Sequence, residues 1–449
     1  MRNINIALIY SHFMDEYPIL KEDIFFAKIQ NDSEVQVKIY NTTTEKDFDA
    51  TPDTVALLDL CTDTRSIIEI IEELSEQFGK PVEELGEDIA SAFAILQEKG
   101  IISIEKIPGN PKKSKKITLK YPVSSAQIEI TNRCNLSCLH CFNDSGDPCP
   151  HELTTEEIFS VIDTLTSMGV HRVTLTGGEP LLHPEFFEIT DHARKAPMSV
   201  NIFTNGTLIT EEHINEFKKL HIGQFNISVD SVDETIHDTF RGKKGALKKT
   251  LHAITLLKEA GFPIRIATCL SQLNKDVAVD ILQYCKTQDL TDIGVAPVRA
   301  SGRGVDGLAI SPEEYYDVVI KQFTYLKEEF PEGIFEAREV TGKGCSIARH
   351  SIGIKSDGTI LPCPACNREM GIGNVRDMNL EELWDNSEKL KTLRRIISKN
   401  NNTCKTCNYL AFCEGCIAGA FSMWGTLTCY YPYLCATYRA YDEIFGLII

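Results

Sequence analysis

The sequence predicts an α/β protein: a partial (β/α)6 barrel, preceded by a winged-helix domain and followed by a cysteine-rich metal-binding domain. Three observations carry this prediction. From Gln127 to about residue 330, short β-type runs alternate with helical patterns, which specifies parallel strands with outer helices. Before them, runs of β-branched residues are followed by three short helical patterns. After them, cysteine density rises from Cys345 onwards, and in a reduced compartment such clustering argues for metal rather than disulfides.

A chain of 449 residues is too long for one ordinary core and predicts several domains. No apolar run reaches bilayer length. The first residues, Met1-Arg-Asn-Ile-Asn-Ile-Ala-Leu-Ile-Tyr-Ser-His, hold too short an apolar core for a signal peptide. A cytoplasmic protein is therefore expected. The formal charge of −18 disfavours nonspecific binding to nucleic acid or to an anionic membrane, so neither is expected as a partner.

In chain order, residues 4–10, 24–29 and 35–40 are rich in β-branched or aromatic side chains, the last two runs joined by the turn-forming Asn31-Asp-Ser. A small antiparallel sheet is expected there. Helical patterns follow over residues 54–61, 66–78 and 82–99, the last closed by Gly100 before Ile101-Ile-Ser-Ile. Together these elements suggest a winged helix over residues 1–106. Pro108-Gly-Asn-Pro-Lys-Lys-Ser-Lys-Lys-Ile lies between periodic segments and reads as part of a linker, residues 107–123.

Residues 124–335 hold expected strands at 127–131, 171–176, 199–204, 224–229, 264–270 and 292–298. Thr154 and Glu157 form a capping box; Ser311-Pro312-Glu-Glu314 combines an N-cap, a helix-opening proline and the same box. Six such units fit a partial barrel, whose chemistry gathers where strands end. Candidates past the strands are Gly177, Gly178, Glu179 and Pro180, then Asn205, Ser228 and Asp230, with Arg241 further on. The turn Ser301-Gly-Arg303-Gly304 is left without a duty.

The densest chemistry lies in Ile128-Glu-Ile-Thr-Asn-Arg-Cys134-Asn-Leu-Ser-Cys138-Leu-His-Cys141-Phe, where Cys134, Cys138 and Cys141 follow a strand in a Cys-x3-Cys-x2-Cys spacing. Thiolates are soft ligands that suit iron–sulfur clusters and zinc, and three of them leave one iron of a four-iron cluster open to a substrate. A structural zinc loop would need a fourth ligand, for which His140 or Cys149 could serve. Val173-Thr-Leu-Thr-Gly177-Gly178-Glu179-Pro180 then ends a strand in a glycine turn, where bare backbone can approach a ligand. At these residues the chain resembles the radical S-adenosylmethionine (SAM) enzymes. The resemblance implies that Cys134, Cys138 and Cys141 hold a catalytic SAM-binding cluster and that Gly177 to Pro180 receive the methionine amine. It further implies Asn205 as a cofactor contact, Ser228 and Arg241 at the SAM carboxylate, Asp230 at the ribose and the backbone of residues 296–298 at the adenine.

Residues 336–449 carry Cys345-x12-Gly358-x4-Cys363, then Cys404-x2-Cys407-x5-Cys413-x2-Cys416, then Cys429 and Cys435. These spacings resemble the SPASM extension, which implies a C-terminal Cys-rich iron–sulfur domain with two auxiliary [4Fe-4S] clusters, three clusters in all with the first. Cys345, Cys363 and Cys416 would bind one auxiliary cluster; Cys404, Cys407 and Cys413 would bind the other, with Cys435 or Cys429 as fourth ligand. Cys366 is a ligand or a spare. One spacing departs from the family pattern, since only Glu414-Gly415 separates the last two members of the quartet. A zinc ribbon is the alternative for this region. Cys61, Cys149, Cys269 and Cys285 read as buried or bystander thiols.

Leu57-Leu-Asp-Leu-Cys61-Thr-Asp-Thr-Arg-Ser and Leu96-Gln-Glu-Lys-Gly100-Ile-Ile resemble the PqqD-like precursor-peptide recognition domain. That family binds a leader peptide as an added strand, which needs an exposed sheet edge; residues 35–40 are nominated as that edge. Winged helices also bind DNA, but this segment lacks a basic face. The three domains together resemble maturases of ribosomally synthesised peptides. The thioether-forming (sactipeptide and ranthipeptide) group is suggested by His237-Asp-Thr-Phe-Arg-Gly-Lys-Lys-Gly and Phe412-Cys-Glu-Gly-Cys. This resemblance implies Cys-to-carbon thioether formation through a 5′-deoxyadenosyl radical, with a precursor peptide and a flavodoxin- or ferredoxin-type reductant as partners. The alternatives are a carbon–carbon crosslinking or epimerising maturase, an anaerobic sulfatase maturase, and a redox-sensing metal-binding scaffold.

Overall fold

Residues 1–122 and 123–449 are the two units of the computed structural model, which describes residues 16–21, 24–30, 35–41, 46–61, 64–107, 118–119, 123–196, 198–305, 307–330, 345–396, 400–411, 413 and 415–446. The strand expected at residues 4–10, the Asn31-Asp-Ser turn and the Lys-rich stretch 108–117 lie outside the described residues.

In the first unit, β1 (Tyr17–Leu20) precedes β2 (Ile24–Gln30) and β3 (Val35–Asn41), which pair antiparallel, as their β-branched runs predict. β4 (Lys46–Ala50) pairs with the other side of β3. Helices α1 (Pro52–Leu60), α2 (Ile67–Phe78) and α3 (Val82–Glu98) follow where the periodicity puts them. A Ser66/Glu69 capping box opens α2. β5 (Ile102–Glu105) pairs antiparallel with β1, and β6 (Thr118–Leu119) pairs in parallel with β2. The sheet order β4-β3-β2-β6 puts β3 in the interior. The nomination of residues 35–40 as the exposed edge is therefore corrected: β3 is hydrogen-bonded on both sides, and β4 stands at the edge. Ile39, Leu58, Ile70, Ile71, Phe93 and Ile101 make the core of this unit.

The second unit contains the six strands expected from the alternation: β7 (Ser125–Thr131), β8 (Arg172–Gly177), β9 (Ser199–Thr204), β10 (Gln224–Ser228), β11 (Ile264–Leu270) and β12 (Asp292–Pro297). All run parallel and stand in chain order. Between and after them come α4 (Thr155–Ser167), α5 (Phe186–Lys195), α6 (Glu211–Leu220), α7 (Glu234–Arg241), α8 (Ala246–Glu259), α9 (Ala278–Thr287) and α10 (Pro312–Glu329). The boxes at Thr154 and Ser311 both form. Covered by helices, β9 is buried at all but one residue and β10 at its three central ones.

The sheet is mixed and larger than six strands. β13 (Ser351–Ile354) pairs in parallel with β7, and β14 (Thr359–Leu361) and β15 (Gly373–Asn374) extend it antiparallel to nine strands. Without β13 the first barrel strand would expose a backbone edge. The consequence for the site is that β14, which ends just before Cys363, is joined through β13 to the strand that leads into Cys134. Four helices complete the unit: α11 (Leu380–Asn386), α12 (Glu388–Arg395), α13 (Ile417–Trp424) and α14 (Pro432–Phe445). Tyr315 and Val319 of α10 share a buried cluster with Tyr433 and Ala440 of α14. Among the described residues no helix is long and apolar enough to cross a membrane.

Candidate functional site

A cavity of about 570 Å³ runs along the parallel strands towards their C-terminal ends. On its wall stand Cys134, Cys138 and Cys141, together with Gly177, Gly178, Asn205, Ser228, Arg241 and residues 296–298. Glu179, Pro180 and Asp230 stay off the wall.

The cysteine loop has no helix of its own, so its shape comes from what grips it. Cys134 N donates to Gly146 O at 2.9 Å, and the Glu152 carboxylate accepts from Asn132 N at 2.6 Å. Two straps from distant sequence hold the rest. At the end of α7, Ser137 N donates to Arg241 O at 3.2 Å and Leu139 N to Phe240 O at 2.9 Å; Lys243 Nζ donates to Asn135 O at 3.0 Å. From the turn after β12, Arg303 Nε donates to Cys138 O at 2.8 Å and Arg303 N to Cys141 O at 2.9 Å. Each strap meets the loop at a glycine with positive φ. A Cβ on Gly242 (φ 68°) would stand 2.5 Å from Ser137 O, and one on Gly302 (φ 56°) 2.3 Å from Cys141 O. The turn at residues 301–304, left without a duty by the sequence, is a clamp on the cysteine loop. Its signal was hidden because its partners lie over 150 residues away, |i−j| = 165 for Arg303 to Cys138.

The glycine turn after β8 packs against the cysteine loop while Gly177 and Gly178 also stand on the cavity wall. Gly178 N donates to Thr131 O at 2.8 Å and Glu179 N to Arg133 O at 2.8 Å; a Cβ on Gly178 would meet Arg133 O at 2.3 Å. Its bare backbone is required by the cysteine loop. Glu179 is fully buried, its carboxylate accepting from Thr204 Oγ1 at 2.7 Å and Asn205 N at 2.9 Å. Burial pushes its pKa up to about 7, against the pull of these donors. It fixes the end of β9, and with it Asn205.

Asp230 pairs with Arg241, Oδ2 to Nη2 at 2.7 Å, and accepts from Cys269 N at 3.0 Å. Burial works against the charge on Arg241, but the Asp230 carboxylate and Cys138 outweigh it and hold the guanidinium above its ordinary range. Arg241 Nη1 lies 3.8 Å from Cys138 Sγ. His140 stacks on Phe240 with centroids 4.0 Å apart; burial pulls it down to about 4, so it is neutral near pH 7. Cys149 faces Ser356 Oγ at 3.2 Å. Among the described residues, neither His140 nor Cys149 forms a close ligand group with the three cysteines.

A further network escaped sequence reasoning. Lys355 Nζ donates to Glu129 Oε1 at 2.8 Å and to Asn143 Oδ1 at 2.5 Å, a buried link between β7, the cysteine loop and the end of β13. Burial raises the Glu129 pKa while Lys355 opposes that rise.

The C-terminal cysteines fall into two groups. Cys366, fully buried, donates to Cys363 and lies within electrostatic reach of Cys416 and Cys345; its hydrogen bond pulls Cys363 down and pushes Cys366 up. Cys366 thus joins Cys345, Cys363 and Cys416. The second group is Cys404, Cys407, Cys413, Cys429 and Cys435: Cys404 feels Cys429, Cys435 and Cys413, and Cys413 feels Cys435, Cys407 and Cys429. Burial raises Cys404 to about 12 and Cys413 to about 11. Phe412 and Glu414 lie outside the described residues. The short spacing after Cys413 closes tightly, since a Cβ on Gly415 (φ 72°) would stand 1.9 Å from Cys429 O.

The residues present fit a thiolate-held cluster with a polar ligand beside it. Three thiols share one cavity wall, and next to them the buried Arg241 Nε and Ser145 Oγ have no hydrogen-bond partner among the described residues.

Residues 128–285 match the family described as the radical SAM superfamily, and residues 345–408 match SPASM, an iron-sulfur cluster-binding domain. The AdoMet-dependent heme synthase of Methanosarcina barkeri (strain Fusaro / DSM 804) is 30% identical over 324 residues, 66% of this chain and 92% of that protein. The antilisterial bacteriocin subtilosin biosynthesis protein AlbA of Bacillus subtilis (strain 168) is 28% identical over 341 residues, 72% of this chain and 73% of that protein. Streptococcus suis SuiB bound to precursor peptide SuiA superposes with a TM-score of 0.65 at 16% identity, covering 92% of this chain and 98% of that one. That last likeness shows the fold alone.

Proposed function

This chain belongs to the radical SAM superfamily, and from that premise we propose that it matures a ribosomally synthesised peptide by forming Cys-to-carbon thioether links. Its radical SAM and SPASM domains imply SAM and iron–sulfur clusters. The observation that carries the proposal is the shared cavity: its wall includes Cys134, Cys138 and Cys141 and also Pro364-Ala365, the residues between Cys363 and Cys366. A peptide strand lying there touches both surroundings at once. The role named for AlbA and the precursor peptide named with SuiB support a peptide as substrate.

In this reading Cys134, Cys138 and Cys141 hold the SAM-binding cluster, Cys345, Cys363, Cys366 and Cys416 a second cluster, and Cys404, Cys407 and Cys413 with Cys435 or Cys429 a third. When bound, cluster and SAM supply one-electron chemistry that removes a hydrogen atom from a substrate carbon. The protein's own part is positional. Arg241, fixed by Asp230, offers its remaining donors to a carboxylate. Gly177, Gly178, Asn205 and Ser228 present polar atoms along the same wall, while Phe203, Val295 and Val298 exclude water from it. Residues 1–106 form the winged-helix leader-binding domain, with β4, an edge strand among the described residues, available for strand addition. Residues 107–123 are the linker, 124–335 the partial (β/α)6 barrel and 336–449 the auxiliary-cluster domain; a flavodoxin- or ferredoxin-type protein supplies electrons.

The test is co-expression with a Cys-containing peptide encoded beside the gene, read by mass and thiol alkylation. A thioether removes two hydrogens per link and leaves fewer alkylatable thiols. Loss of two hydrogens with all thiols still free would move the chemistry to carbon–carbon crosslinking, and unchanged mass with inverted residues to epimerisation.

A further inference from the structure

The cavity wall carries four arginines, Arg241, Arg265, Arg299 and Arg303, and no aspartate or glutamate, in a chain of formal charge −18. Arg241 is buried and the other three are half-buried, and a guanidinium on such a wall is steadied by an anion or by acceptors for its donors. Three of the four have an anion: Arg241 pairs with Asp230 at 2.7 Å, Arg303 with Asp144 at 2.8 Å, and the third more loosely. Arg265 has Asp292 at 3.6 Å. Arg299 pairs with no carboxylate among the described residues, although the Cys363 thiol lies within its electrostatic reach. Its hydrogen bond runs from Nη1 to Ala365 O at 2.9 Å, and its guanidinium carbon stands 6.0 Å from the Tyr431 ring centre.

The position of Arg299 is as telling as its lack of a carboxylate. It lies two residues past the end of β12, and the carbonyl it holds belongs to the residue before Cys366. It therefore sits on the cavity wall between the three loop cysteines and the group around Cys363. Any group brought into the cavity to meet both would pass its free donors.

We propose that Arg299 reads a carboxylate on the substrate, so that the residue presented in the cavity is an aspartate or a glutamate. This deepens the peptide reading above and rests on it. A planar guanidinium fork matches a carboxylate in two parallel hydrogen bonds, which supplies orientation as well as affinity. The amide isosteres asparagine and glutamine have the same shape and lack the charge.

The test uses the full-length, cluster-reconstituted protein with SAM and four labelled probe peptides, acetyl-Gly-Cys-Gly-X-Gly-amide with X as Asp, Asn, Glu or Gln. Binding is read by fluorescence polarisation. Haemin, which carries propionate carboxylates on a tetrapyrrole, is the non-peptide probe. At least one acidic peptide binds about tenfold or more tighter than its amide isostere, and Arg299→Gln closes that gap while iron content and SAM affinity stay at wild-type values. Arg299→Lys keeps part of the gap, because the charge remains without the fork. Equal binding of acid and amide by the wild type overturns the proposal, as does a gap that survives in Arg299→Gln. A fall in SAM affinity together with the gap overturns it too, since the carboxylate would then be that of SAM. An altered auxiliary-cluster electron paramagnetic resonance signal with the gap intact would assign Arg299 to the cysteines alone and overturn it likewise. Arg299-dependent binding of haemin, with no binding of any peptide, keeps the carboxylate inference and overturns the peptide reading.

Discussion

The loop from Cys134 to Cys141 and the stretch from Cys404 to Cys435 are both marked by cysteine spacing, yet they are built in opposite ways. The first is gripped by long-range straps from residues 240–243 and 301–304 and opens on a cavity. The second is wound mainly by its own turns, such as Cys407 N to Cys404 O at 2.9 Å and Cys413 N to Tyr409 O at 2.8 Å, and none of its cysteines reaches the cavity wall. Cys138 is buried, whereas Cys407 is exposed. Spacing marks both places alike, and the surroundings separate them: only the first opens on a cavity with room for a substrate.

The largest way to break this contrast is to fill a glycine contact. Gly302→Val or Gly242→Val leaves no room for the strap against Cys141 or Ser137, so reconstituted protein should lose about four irons per chain and all SAM cleavage while the C-terminal irons remain. Iron analysis with 5′-deoxyadenosine assay checks it; full loading in both variants would mean that the loop does not depend on its straps. Next comes Asp230→Ala, which strands Arg241 as a buried charge. Denaturant unfolding should report a loss of about 3–5 kcal/mol, and a loss below about 1 kcal/mol would contradict the pairing.

A smaller effect sharpens the account of Glu179. Its folded pKa of about 7 is raised above the ordinary 4.5, so its neutral form favours the fold. The stability it contributes is complete below pH 4.5 and is lost as pH rises through about 7. Over that window the wild type, measured without SAM, should lose about 3 kcal/mol more than Glu179→Gln; parallel pH profiles would refute the buried placement. Smallest of all, Cys149→Ser should leave iron content unchanged and stability within about 0.5 kcal/mol, because Cys149 contacts Ser356 and stays off the cavity wall.

Much of the fold was legible in the sequence because it depends on local pattern. The runs at 199–204 and 264–270 coincide with β9 and β11, and the boxes at Thr154 and Ser311 open their helices as read. Pairing was not legible. A single chain does not reveal that β3 has a neighbour on each side, or that three short strands in the cysteine-rich region complete the sheet beside β7. The site divides along the same line. Cysteine spacing and Gly177-Gly178 stood out, but the backbone those glycines approach, the carboxylate that holds Arg241 and the clamp by Arg303 are all distant in sequence. Cys366 is the plainest case: its spacing left it open, and its hydrogen bond to Cys363 places it beside Cys363, Cys345 and Cys416.

The central claim is that the cavity-facing cysteines and the C-terminal ones hold separate clusters with separate duties. Iron and acid-labile sulfide should be measured on anaerobically reconstituted wild type beside the Cys134→Ala/Cys138→Ala/Cys141→Ala variant, with 5′-deoxyadenosine assayed after dithionite and SAM. The account predicts about twelve irons per chain, about eight in the variant, and no SAM cleavage there. Zinc in place of iron, or SAM cleavage that survives the three substitutions, would contradict it.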